Sequence, residues 1–185
     1  MKTRPTDQLQ IVIRLLPFIV MASVTHANSA FSGLWTISAG ETTSTDPAAR
    51  STALDPWRKL DMAIEVKGDT VAIVRTFGGG SRVATETMTV DTSLPGQEIT
   101  VEGWWDNRHI GAYLGNDKRI HVSAKWLDSD RTLQLMIDMV LETSQTDTPV
   151  RVIREMRLSD DGDTLVVIEL RSSRDKPIVR YFKRA

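Results

Sequence analysis

Arg154 is the residue whose surroundings point most directly to chemistry. Val150, Val152, Met156 and Leu158 share its side of a two-residue alternation, while Arg151, Ile153, Glu155 and Arg157 fall on the other. Such a pattern is a strand with one face on a core, and it turns Arg154 inward. A guanidinium away from water needs an anion, because burying an unpaired charge is very costly. A carboxylate ligand held bidentately answers that need. An internal pair with Glu86 or Glu169 answers it too, and so does a strand end that lets Arg154 reach solvent.

The other candidates carry less. His109 stands near Trp104, Trp105 and Asp106, and His109 with Asp106 has the composition of an acid–base pair. No serine nucleophile is marked out beside them, so both an enzyme at a barrel mouth and an ordinary loop histidine remain open. His121 lies between polar neighbours and is expected on the surface. No close spacing of histidines points to a metal, and no cofactor is expected. Gly78, Gly79 and Gly80 lack the strand–helix context and the lysine of a phosphate loop, and are expected as a hairpin tip. Asp128, Asp130, Asp160, Asp161 and Asp163 read as turn residues that cap backbone amides.

The elements that must position these residues are short strands. Ile120, Val122, Ala124 and Trp126 alternate with polar residues, and Leu133, Leu135, Ile137, Met139 and Leu141 do the same. Tight-turn residues separate such runs at Lys67-Gly68-Asp69, Ser93-Leu94-Pro95-Gly96, Asp128-Ser129-Asp130 and Asp160-Asp161-Gly162-Asp163. The expected fold is all-β: one antiparallel up-and-down barrel of about 8–10 strands, since sequential hairpins pair without crossovers and a closed barrel leaves no edge. A sandwich is the alternative. Asp46–Ala53, with Asp46 as cap and Pro47 at the first helical position, is expected as a short helix or loop after the first strand. Trp104, Trp105, Tyr113 and Trp126, with Met62, Met88, Met139 and Met156, suit either an adaptable cavity or a filled core.

Composition narrows the function classes. The chain has 185 residues, 23 basic and 24 acidic, with no cysteine. That length suits one domain, and the near-neutral charge argues against a nucleic-acid partner. Without cysteine there is no disulfide, thiolate metal site or thiol nucleophile. Lys2, Arg4 and Arg14 precede the short apolar run Leu15–Val24, and small residues stand before breaks after Ala27 and after Ser29. That layout is a secretory signal peptide, and the run is too short for the roughly 20 residues of a membrane span. Residues 1–27 are therefore expected to be removed, leaving a barrel domain over 31–185 in the periplasm or outside the cell.

Both ends of that domain resemble one family. Phe31-Ser32-Gly33-Leu34-Trp35 resembles the opening Gly-x-Trp strand of lipocalins, and more closely that of exported bacterial lipocalin-like proteins. The stretch from Glu155 to Leu165 resembles their penultimate hairpin, with Met156 where the family often has an aromatic residue. Tyr181-Phe182-Lys183-Arg184 is similar to their aromatic-basic last strand. The resemblance implies a calycin-like barrel whose floor is Trp35, covered by Arg184 or Arg180 through a cation–π contact. It implies a fold more than an activity. The leading expectation is a small hydrophobic or amphipathic ligand bound by Arg154, Trp126, Tyr113, Met139 and Met156. A filled barrel acting through its surface is the alternative, and a barrel-mouth enzyme the third reading.

Overall fold

A computed structural model describes residues 29–38, 59–79, 82–103, 113–114, 118–142, 145–173 and 175–185. A single 3-10 turn, Ser29–Phe31, leads into β1 (Gly33–Ile37). Then come β2 (Lys59–Lys67), β3 (Thr70–Gly79), β4 (Arg82–Asp91), β5 (Gln97–Thr100) and β6 (Glu102–Gly103). The remainder is β7 (Tyr113–Leu114), β8 (Arg119–Leu127), β9 (Thr132–Glu142), β10 (Thr148–Leu158), β11 (Thr164–Arg171) and β12 (Ile178–Arg184). The helix expected at Asp46–Ala53 lies outside the described residues. Two strands run past the expected loops: β3 extends to Gly79 with Phe77 buried, and β10 begins at Thr148.

All described pairings are antiparallel, in the order β5-β8-β9-β10-β11-β12-β1-β2-β3-β4-β6, with β7 beside β9. The two ends of this path, β5 and β6, are adjacent in the chain. Residues 97–103 therefore form one lane that begins on β8 and finishes on β4. β7 continues the line of β8 along β9, so the wall has ten lanes and nearly closes. Where β4 and β5 diverge, the Gln97 side chain fills the ladder. Its Nε2 donates to Asp91 O at 2.8 Å, and its Oε1 accepts from Asp91 N at 3.1 Å.

One end of the barrel is shut. The β2–β3, β4–β5, β8–β9 and β10–β11 turns gather there around the Ser29–Phe31 turn. Phe31, Trp35, Leu133, Met156 and Leu165 are fully buried near this end. Each large apolar side chain taken from water stabilises the fold by about 1.5–3 kcal/mol. Gly68 and Gly162, at φ 58° and 76°, make the left-handed turns that a side chain would oppose. β11 departs from simple alternation. Leu165, Val167 and Glu169 face inward, yet Val166, Ile168 and Leu170 on its outer face are apolar as well.

Candidate functional site

Cross-strand register assembles a buried charged layer in the half of the barrel away from the floor. β3 and β4 set Arg75 opposite Glu86, and β10 and β11 set Arg154 opposite Glu169. All four share the inward parity of their strands and are at most 8% exposed. Arg75 grips Glu86 through both oxygens: Nε to Oε1 at 3.1 Å, Nη2 to Oε1 at 2.7 Å and Nη2 to Oε2 at 2.8 Å. Glu169 is shared. Its Oε2 accepts from Arg154 Nε at 3.0 Å, and its Oε1 accepts from Arg171 Nε at 2.7 Å. Nη1 of Arg154 is buried and has no hydrogen-bond partner.

The fields in this layer are strong because its four charged groups are almost wholly buried. Burial opposes the Glu169 charge, but Arg154, then Arg171, Arg180 and Arg75, outweigh it and hold its carboxyl well below the ordinary 4.5. Burial first, and Arg75 second, bring the Arg154 guanidinium down to about 10, against the pull of Glu169 and Glu86. Arg154 thus keeps its proton at neutral pH while lacking a full complement of anionic contacts.

Arg154 borders an internal pocket that, among the described residues, is also lined by Glu86, Met88, Val101, Leu114, Ile120, Ile137 and Met139. Its free space is about 10 Å³, room for a single water. Two of the seven partners are methionines, whose unbranched thioethers repack at low cost. The pocket lies behind the point where residues 97–103 change partner from β8 to β4.

The structure brings Arg154 and Met139 to this pocket and places Met156 and Trp126 elsewhere. Met156 is fully buried one inward step nearer the floor, between Leu133 and Val167. Trp126 is at the floor, edge-on to Phe31 with centroids 5.0 Å apart and planes at 68°. Its Nε1 is buried without a hydrogen-bond partner. Tyr113 is described as backbone only, in β7 beside Glu142. Trp104, Trp105, Asp106 and His109 lie outside the described residues. His121 is exposed, with Nδ1 2.9 Å from Glu98 Oε1. Among the described residues no group of three His, Cys, Asp or Glu could hold a metal.

At the floor, Arg184 lies over Trp35, its guanidinium carbon 4.3 Å from the ring centroid. The same guanidinium donates to three backbone carbonyls: Nη1 to Ser32 O at 2.9 Å, Nη2 to Ala30 O at 2.6 Å, and Nη2 to Gly162 O at 3.1 Å. Trp35 Nε1 donates to Phe31 O at 3.0 Å. Gly33 makes room: at φ 147°, a β-carbon there would stand 2.6 Å from Arg184 Nη1.

A larger concavity, about 1010 Å³, lies on the outer wall over β5, β8, β9 and β10. It is open to water, and four of its charged or titratable side chains pair with one another. Arg151 donates to Asp138 at 2.6 and 2.9 Å, and His121 meets Glu98. Screened surface pairs of this kind carry little energy, so the buried layer is the stronger candidate. Sequence reading missed Arg75 and Arg171 there. Arg75 shares the parity of Val71, Ile73 and Phe77, the same signal that exposes Arg154. Arg171, at a strand end, carries no such mark.

No protein-family model matches the sequence, and no curated protein matches it. Among solved structures, the chain is similar to a Schistosoma mansoni fatty acid binding protein in complex with arachidonic acid. The TM-score is 0.50 at 13% identity, covering 86% of this chain and 98% of that one. It is also similar to a mutant of the fluorescent protein UnaG, at TM-score 0.48 and 15% identity, covering 84% of this chain and 96% of that one. At such identities the likeness is one of fold: this chain and the fatty acid binding protein share an antiparallel up-and-down barrel.

Proposed function

We propose that this chain is an exported, lipocalin-like barrel that binds a small amphipathic molecule, with an acidic head group on Arg154. The observation that carries this reading is the buried, unpartnered Nη1 of Arg154 beside the methionine-lined pocket. A buried donor left without an acceptor costs about 1–3 kcal/mol, and an anionic head group removes that cost. Met88 and Met139 must swing aside to admit an apolar tail, which their flexibility permits. The fold neighbour that holds arachidonic acid lends support at the level of architecture.

Export rests on the N-terminal layout, and the floor favours one of its two cleavage points. Ser32 N donates to Ser29 O at 3.0 Å, Arg184 holds Ala30 O, and Phe31 is fully buried. Cutting after Ala27 keeps this turn whole, whereas cutting after Ser29 removes an acceptor from it.

Native mass spectrometry of protein taken from the exported fraction, without refolding, tests both parts. The expected result is a chain beginning at Asn28 with an added mass that leaves on denaturation. The small free space favours a second reading, a filled barrel that acts through its surface. A bare mass, unchanged after incubation with fatty acids, would select it and overturn ligand binding.

A further inference from the structure

We infer that Glu169 is a built-in competitor for the ligand's head group, and that Arg171 sets the strength of that competition. The inference rests on the ligand reading above and names what governs the charge selectivity of its site.

The geometry is a shared anion. Glu169 gives one oxygen to Arg154 and the other to Arg171, so its charge has two places to rest. Only Nε of Arg154 is engaged by Glu169, which leaves Nη1 without a partner on a residue that lines the pocket. An arriving anion takes Arg154 through Nη1, and Glu169 then leans on Arg171. Every step in that exchange keeps both carboxylates paired, which is what a dry interior requires. The second pair differs. Arg75 holds both oxygens of Glu86, so Glu86 is fixed in place and does not exchange. Glu169 is accordingly a positioning residue: it orients Arg154 and opposes the ligand's charge without touching its tail.

Two substitutions push the competition in opposite directions. Glu169→Gln removes the competing charge, so Arg154 should bind dodecanoate about tenfold more tightly than in the unsubstituted protein. Arg171→Gln removes one of the two guanidinium groups hydrogen-bonded to Glu169 and throws more of its charge onto Arg154, so dodecanoate should bind about tenfold more weakly. 1-Dodecanol, with the same tail and no charge, should bind both variants as it binds the unsubstituted protein. The ratio of the two affinities is the readout, because a merely structural defect would weaken both probes together. Arg171 is near the barrel mouth, with its side chain 11% exposed, so its variant keeps the test valid should Glu169→Gln fail to fold. Unchanged or weaker dodecanoate binding by Glu169→Gln, or unchanged binding by Arg171→Gln, would overturn the inference and leave ligand binding standing. Failure of the unsubstituted protein to bind either probe would overturn both.

Discussion

The two halves of this barrel are held by different physics. The floor half has an apolar interior, and Arg184 there faces a tryptophan ring and backbone carbonyls. The other half places Arg75, Glu86, Arg154 and Glu169 where the same strands would otherwise continue an apolar core. Burying apolar surface is favourable without conditions, whereas a buried ion pair roughly breaks even against its desolvation. The floor therefore stabilises the fold, and the charged layer is retained at little net gain.

Several substitutions sharpen that contrast, in descending order of effect. Trp35→Ala should cost about 3–5 kcal/mol of stability in urea titration, because it empties the floor and strands Arg184. Arg154→Leu alone should cost about 3–5 kcal/mol as well, since Glu169 loses a buried partner. The pair Arg154→Leu with Glu169→Leu should recover part of that loss, since Arg171 then lacks its carboxylate; a double variant no better than the single would break the contrast. Gly33→Ala should cost about 1–3 kcal/mol, through an unfavourable φ and the crowding of Arg184.

Acid should act mainly on the charged half. Glu169 titrates lower in the folded than in the unfolded chain, so the unfolded state binds more protons as pH falls. Its contribution is complete above the ordinary 4.5 and drains away below it. The double leucine variant should lose less stability over that window, as followed by circular dichroism. Least of all, Arg151→Ala on the outer wall should leave the unfolding midpoint unchanged, since its pair with Asp138 is exposed.

Much of this was legible in the chain. Alternation in Ile120–Trp126 and Leu133–Leu141 identified β8 and β9, because one wet and one buried face leave a period of two. The same parity turned Arg154 inward and offered Glu169 among its partners. It could not supply the choice between Glu86 and Glu169, which depends on register between strands rather than on pattern within one. Nor could it separate Met139 from Met156. Both face inward, and only the height along the barrel axis decides which meets the charged layer. The lane formed by residues 97–103 was hidden for a related reason: its partner changes at Val101, and no local signal marks a change of neighbour.

The seam between β1 and β12 bears on when the barrel can exist at all. Arg184 holds carbonyls 152 and 154 positions back in the chain, and Trp35 pairs with it across the ladder. Contacts so distant in sequence are slow to form, and barrels rich in them fold in about milliseconds to seconds. A chain delivered from its N-terminus has no partner for β1 on this side until the last strand has emerged. Closure of the barrel is therefore the last event of its synthesis, and the floor is not sealed until Arg184 is in place.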